Sequence, residues 1–244
     1  MIACRNIHKS FNGQPVLKGL SLTIPSDQIT VLIGRSGEGK SVFLKHLVGL
    51  LKPDSGTIEV DGQDITRVKR AELKKIKELF GFVFQSGALF DSLNVFENVA
   101  FPLRHKTKIG QTEIRDRVEE MLSQVGLAGH GQNYPSEISG GMAKRVAVAR
   151  ALILRPRIIL FDEPLTGLDP VISNTILDLI AELHQRYQFT GVVVSHDIPE
   201  IFELAEQVAM LHQGEIIFTG VPEEIYDNQD SRVRHFLNGG REQT

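Results

Sequence analysis

Hydrophobic residues fall along this chain in two rhythms. Short, almost unbroken apolar runs occur in ITVLIG (29–34), RIILFDE (157–163), TGVVVSH (190–196) and QVAMLH (207–212). Runs of this length suit strands buried on both faces. IACRNIHKSF (2–11), LKGLSLTI (17–24), GTIEV (56–60) and GFVFQ (81–85) read as further short strands, with Asp61-Gly62 supplying a turn signal.

The second rhythm places apolar residues three and four apart. KSVFLKHLVGLL (40–51) has this helical spacing and stops at the breaker KPDSG. The stretch 86–153 is helical in character, with helices expected over TEIRDRVEEMLSQVGL (112–127) and GGMAKRVAVARALIL (140–154). Another is expected over VISNTILDLIAELHQRY (171–187). Strands alternating with helices imply an α/β fold whose parallel sheet is covered on both faces. The 86–153 stretch then reads as an insertion between two core strands, and the tail beyond GEIIFTG adds one or two short helices. No internal repeat is visible.

Composition changes this picture little. Hydrophobic residues make up 41% and charged residues 23% of the 244, ordinary for a globular protein large enough to bury a sizeable core. Lys and Arg number 27 against 30 Asp and Glu, a net charge of −3 that offers no general surface for nucleic acid. The basic run RVKRAELKKIKELF (67–80) fits a solvated helix face. Cys4 is the only cysteine, so no intrachain disulfide is possible and a reducing compartment fits. No apolar stretch approaches the eighteen or so residues of a membrane span, and MIACRNIHKSF has no signal-type apolar core. The expectation is a chain neither secreted nor membrane-inserted, held at any membrane by another subunit.

Chemistry enters with Gly34-Arg35-Ser36-Gly37-Glu38-Gly39-Lys40-Ser41, followed by Val42. This is the pattern GxxxxGK[ST], between a strand and a helix as a phosphate-binding loop requires. Its glycines let backbone amides fold around a β-phosphate, Lys40 neutralises β/γ oxygens, and the Ser41 hydroxyl can coordinate Mg²⁺. Asp162 and Glu163 end an otherwise apolar strand, where ligands of open α/β sheets bind. Asp162 can reach Mg²⁺ through a coordinated water, and Glu163 can polarise the water attacking a γ-phosphate. A solvated turn with two adjacent carboxylates is the plainer alternative, but it leaves their place on an apolar strand unexplained.

A second glycine-rich corner, Ile138-Ser139-Gly140-Gly141-Met142, opens the helix over 140–154. It is either a simple helix cap or a further phosphate site. If it holds phosphate, a nucleotide already gripped by Gly34–Ser41 leaves that phosphate to come from another copy, and head-to-tail pairing then buries two nucleotides in one symmetric interface.

At this point the sequence resembles the ATP-binding cassette (ABC) family over nearly its whole length. ISGGM stands where the family signature reads LSGGQ. Gln85 resembles the Q-loop glutamine, joining Mg²⁺ and the attacking water to a permease. LTGLD (165–169) resembles the D-loop, with Asp169 crossing to the other subunit; His196 resembles the switch histidine on the γ-phosphate; Phe11 stands where an aromatic ring stacks on adenine. Met142 for glutamine and Arg35 for proline are departures, and hydrolysis is expected to survive both.

The resemblance implies a P-loop NTPase cassette. Its RecA-like core with an antiparallel β subdomain would span 1–85 and 154–221, with a helical signature subdomain at 86–153 and a tail at 222–244. It implies an ATPase using ATP and Mg²⁺, working as a homodimer under a separate transmembrane permease. Residues 86–106 would receive that permease, with Leu89, Phe90, Leu93, Val95 and Phe96 either exposed for docking or part of the subdomain core. FQSGALFDSLNVFENVAFPLR, SGGMAKR, VVVSHDIPE and the tail SRVRHFLNG are similar to ATPases of bacterial Mla (MCE-linked) phospholipid transport systems. That likeness implies a peripheral protein on the cytoplasmic face of the inner membrane, an MCE-domain lipid-binding partner, and a role in outer-membrane lipid asymmetry. An importer of small polar solutes such as amino acids, and an ATP-gated signalling module of a cell-envelope complex, stay open as alternatives.

Overall fold

A computed structural model describes residues 1–238. Strands β1 (Ile2–Phe11) and β2 (Gln14–Ile24) form an antiparallel hairpin. Its tight turn needs positive φ at both central residues, which Asn12 (50°) and Gly13 (80°) supply. Then come β3 (Ile29–Ile33), α1 (Lys40–Leu47), β4 (Ser55–Val60), β5 (Gln63–Asp64), α2 (Arg70–Lys77) and β6 (Phe80–Val83). Helices α3 (Val95–Lys106), α4 (Gln111–Gln124) and α5 (Gly140–Leu152) follow. The chain closes through β7 (Ile158–Asp162), α6 (Pro170–Tyr187), β8 (Thr190–Ser195), β9 (Gln207–His212), β10 (Glu215–Gly220), α7 (Pro222–Tyr226) and α8 (Ser231–Leu237).

Two sheets result. One is four-stranded and antiparallel, ordered β2-β1-β4-β5; the other has six strands ordered β10-β9-β3-β8-β7-β6. In the larger sheet β9, β3, β8, β7 and β6 run parallel and β10 joins antiparallel. Every residue of β3, β7 and β8 is buried, as their unbroken apolar runs require. Alternate residues point to opposite faces. Val31, Ile159 and Val193 join a core with α3–α6, while Leu32, Leu160 and Val192 join one with α1 and the four-stranded sheet. The second face is therefore covered largely by a sheet rather than by helices alone.

Several element bounds differ from the sequence pattern. Helix α1 ends at Leu47, not 51, because Gly49 takes φ 63° and the N–H groups of Leu50 and Leu51 turn back to Lys45 O. Phe80 belongs to β6 rather than to the basic helix, of which only Ile76 is buried. Of the five residues left open between docking surface and subdomain core, Val95 belongs to the core: it is wholly buried at the start of α3, its N–H bonded to Asn133 O at 2.8 Å. Phe90 is exposed, and Leu89, Leu93 and Phe96 are half-buried. The tail carries two short helices; residues 239–244, including the last residue of SRVRHFLNG, lie outside the described residues.

Candidate functional site

The site sits where the parallel strands end. The loop after β3, the turn after β7 and the end of β8 lie on adjacent strands in the order β3-β8-β7, so three separate sequence segments meet at one carboxyl edge.

The loop after β3 has the backbone its glycines permit. Gly34, Gly37 and Gly39 take φ of 155°, 83° and 105°, and a Cβ on Gly34 would lie 2.4 Å from Leu211 O. Gly39 leads directly into α1, so the amides of the helix's first turn face the loop. Lys40 is buried, with Nζ donating to Gly34 O at 2.7 Å and Arg35 O at 3.0 Å. Burial pulls its pKa below the ordinary lysine value, while the nearby carboxylates of Glu163, Glu38 and Asp162 oppose that shift. Val42 is half-buried and its carbonyl meets His46 Nδ1 at 2.7 Å. Arg35, Ser36 and Gly37 are exposed at the loop's rim.

Asp162, the last residue of β7, accepts a 2.7 Å hydrogen bond from Ser41 Oγ. Burial raises its pKa, with the Ser41 bond acting the other way. Glu163 follows at φ 49°, a left-handed conformation unusual for a residue with a Cβ, its N–H bonded to Val194 O at 2.9 Å. Oε2 accepts from Gln85 Nε2 at 3.2 Å and from Thr166 Oγ1 at 3.0 Å. Oε1 lies 3.4 Å from His196 Nδ1 and 3.8 Å from Lys40 Nζ. Lys40, Ser41, Gln85, Asp162, Glu163 and His196 thus form one continuous constellation.

Ser41 Oγ, the Asp162 carboxylate and the Gln85 amide oxygen are hard oxygen donors, the class Mg²⁺ selects. No cluster of three or more His, Cys, Asp or Glu suited to a metal occurs among the described residues. So small a protein donor set fits an ion that takes its remaining ligands from phosphate and water.

Five other candidates stand apart. Phe11 is exposed at the end of β1, with Lys9 Nζ 5.5 Å from its ring centroid. Ser139 caps α5, its Oγ accepting from Met142 N at 3.3 Å. Gly140 and Gly141 pack against the same chain's Leu168 and Ile172; a Cβ on Gly141 would lie 2.6 Å from Ile172 Cγ2. Asp169 caps α6, accepting from Ile172 N at 3.0 Å. Among the described residues, no hydrogen bond or ion pair links Ser139–Met142 to Gly34–Ser41.

The constellation also holds residues that the sequence pattern did not single out. Thr166 props Glu163 side chain to side chain from three residues on, a separation short enough for local sequence to have suggested it. Lys144, buried on α5, donates to Gln85 O at 2.5 Å, and burial lowers its pKa. His212 is the third: its Nδ1 lies 3.1 Å from Oε1 of the loop residue Glu38, off the direction of a hydrogen bond. The last two contacts join residues about sixty and well over a hundred positions apart, and no local signal predicts them.

Residues 17–166 match the family model described as ABC transporter. Over 240 residues the chain is 45% identical to a probable ribonucleotide transport ATP-binding protein, mkl, of Mycobacterium bovis, covering 98% of this chain and 67% of that protein. It is 41% identical over 239 residues to MlaF of Haemophilus influenzae, an intermembrane phospholipid transport system ATP-binding protein, covering 98% and 90%. Among solved structures, the dimeric post-hydrolysis state of the ATP-binding cassette MJ0796, bound to ADP and Pi, superposes with a TM-score of 0.82 at 32% identity, over 91% of this chain and 99% of that one. The cbiO1 protein of Clostridium perfringens, part of the ABC transporter complex cbiONQ, gives 0.86 at 29% identity, over 97% and 94%. With the phosphate loop, the carboxylate turn and this fold in one place, the chain belongs to the ABC transporter family and is one of its ATP-hydrolysing cassettes.

Proposed function

We propose that two copies of this chain close head to tail around two ATP molecules and thereby drive a separate permease that moves phospholipid across the cell envelope. One observation carries the dimer: Ser139 and Gly140 stand exposed at a helix N-terminus, with Gly141 buried behind them, and among the described residues the corner shares no polar contact with the phosphate loop of its own chain. A second molecule related by a twofold axis can bring that corner to the first molecule's nucleotide. Cassettes of this family work in pairs with membrane permease subunits.

In the closed pair, Gly34–Val42 cradle the phosphates and Lys40 neutralises the β/γ oxygens. Phe11 stacks on the base. Ser139, Gly140, Gly141 and Met142 meet the partner's nucleotide, and Asp169 lines the same seam. Glu163 takes the proton of the attacking water; Gln85 and Thr166 fix its carboxylate, and His196 faces the γ-phosphate. Mg²⁺, held by Ser41, Gln85 and Asp162, would supply charge neutralisation to the triphosphate when bound. Because ATP and ADP states make different contacts across the seam, hydrolysis can reopen the pair and do mechanical work.

Residues 1–85 and 154–221 are assigned as the nucleotide-binding core, 86–153 as the permease-facing segment and 222–244 as the tail. The phospholipid substrate rests on likeness to the MlaF proteins, of which this chain spans 90%, against 67% for the mkl proteins. An MCE-domain subunit and a seat on the cytoplasmic face of the inner membrane follow from the same likeness. No described helix is long and apolar enough to cross a membrane, so the permease would anchor the chain.

The test is isolation of the complex from native membranes, followed by reconstitution into vesicles. Copurification of an MCE-domain protein with ATP-dependent phospholipid transfer is expected. Uptake of a ribonucleotide or an amino acid without lipid transfer would overturn the substrate, and ATP-dependent assembly without any transfer would point to signalling. Lys40→Ala should weaken ATP binding by about tenfold or more; unchanged affinity would remove Lys40 from the cradle.

A further inference from the structure

The helix that begins at the serine–glycine corner also grips the loop that carries Gln85. Five residues past its Ser139 cap, α5 presents Lys144, 8% exposed, whose Nζ donates to Gln85 O at 2.5 Å. That ammonium donates no other hydrogen bond among the described residues. One and a half turns further on, Arg150 donates to Gly87 O at 2.7 Å and Ala88 O at 2.8 Å, and its guanidinium lies 5.7 Å from the Phe90 ring. Gly87 and Ala88 take φ of 74° and 48°, a left-handed pair in the loop whose carbonyls Arg150 receives. Gln85 Nε2 in turn donates to Glu163 Oε2.

Burying an ammonium is costly unless it is well satisfied, and a charge-assisted bond to a carbonyl is about twice as strong as a neutral one. A leucine or methionine would fill this position without that cost. Among the described residues the ammonium's one hydrogen-bond partner is the main chain of the residue whose side chain touches the base.

We infer that Lys144 is a positioning residue for hydrolysis: by fixing the Gln85 main chain it sets the amide that orients Glu163, and so ties the base to the helix whose N-terminus faces the partner's nucleotide. The inference rests on the reading of Glu163 as the base and adds a residue that does not itself touch nucleotide.

Steady-state ATPase measurements on the assembled transporter test it. Lys144→Met should lower kcat by about tenfold while leaving KM for ATP within about twofold. Lys144→Gln, which keeps a donor for the carbonyl without the charge, should recover most of that loss. In a Gln85→Ala background Lys144→Met should cost nothing further, because the two act through one linkage. A wild-type kcat for Lys144→Met, equal losses for the Met and Gln variants in folded protein, or additive losses with Gln85→Ala would each overturn the assignment. If Lys144→Met fails to fold, Lys144→Gln alone decides: near-native kcat in the wild-type background, with no effect in Gln85→Ala, supports the linkage, and a loss in both backgrounds refutes it. Failure of the underlying reading is separately visible, since Glu163→Gln would then retain turnover whatever Lys144 does.

Discussion

Gln85 Nε2 lies 3.2 Å from Glu163 Oε2, joining the turn after one core strand to the loop after its neighbour. The same carboxylate meets Thr166, His196 and Lys40, so both its oxygens are oriented while it stays largely shielded from water. A group held this way is suited to draw a proton from one water in one place. Glu163→Gln keeps the shape and removes the basicity. It should bind ATP, hydrolyse it about 10²–10⁴-fold more slowly, and accumulate closed dimers in size-exclusion chromatography with Mg-ATP. Near-normal turnover would take the base role away from Glu163.

Ser139 has two tasks that a pair of variants can separate. As the cap of α5 it satisfies Met142 N at 3.3 Å, so Ser139→Ala should cost about 1 kcal/mol of stability in denaturant unfolding. As a contact to the partner's nucleotide it should tolerate no bulk. Ser139→Arg is expected to depress hydrolysis and dimerisation while ATP still binds each monomer. Loss of ATP binding by the monomer would mean that Ser139 serves its own chain's site.

Glu38 is an acid within the phosphate loop. Its Oε2 is buried with no hydrogen-bond partner among the described residues, and Oε1 lies 3.1 Å from His212 Nδ1. A carboxylate beside a polyphosphate opposes binding by Coulomb repulsion, the more so where water is excluded. Glu38→Ser should therefore tighten ATP binding by about three- to tenfold in a titration with a fluorescent ATP analogue. His212→Ala, which removes the imidazole that faces this carboxylate, should act in the opposite direction. Weaker binding by Glu38→Ser would show that the side chain's packing holds the loop together more than its charge disturbs it.

What the sequence made legible was whatever local chemistry specifies. Unbroken apolar runs located β3, β7 and β8 because strands buried on both faces admit little else. The glycines of the phosphate loop were legible because Gly34 and Gly39 have backbone angles that side chains disfavour. Whether Val95 was docking surface or subdomain core stayed open in the sequence because exposure on a helix depends on what packs against it, and only the fold turns that residue inward. Helix α3 had no clear bounds in the sequence because Pro102 lies inside it, although Asn94 accepts from Glu97 N at 2.8 Å as its cap. Lys144 on the Gln85 carbonyl and His212 beside Glu38 were invisible for another reason. Each contact is made by tertiary closure, between residues that carry no pattern in common.

The glycines of the corner at 139–142 differ in what they do, and substitution can tell them apart. Gly140 is exposed, and a Cβ there would meet nothing nearer than Leu168 Cδ2 at 3.8 Å. Gly141 is buried where α5 crosses α6, and a Cβ would lie 2.6 Å from Ile172 Cγ2, closer than two carbons can stand. Gly141→Ala should therefore destabilise the protein by about 1–3 kcal/mol through overpacking. Gly140→Ala should unfold at a midpoint close to wild type, because alanine also favours the helix. Ile172→Ala removes the opposing methyl, so the double variant Gly141→Ala/Ile172→Ala should lose less stability than the sum of the two single changes. Additive losses in chemical denaturation would mean that α5 and α6 can part to admit the methyl, and that Gly141 is required for something other than this close approach.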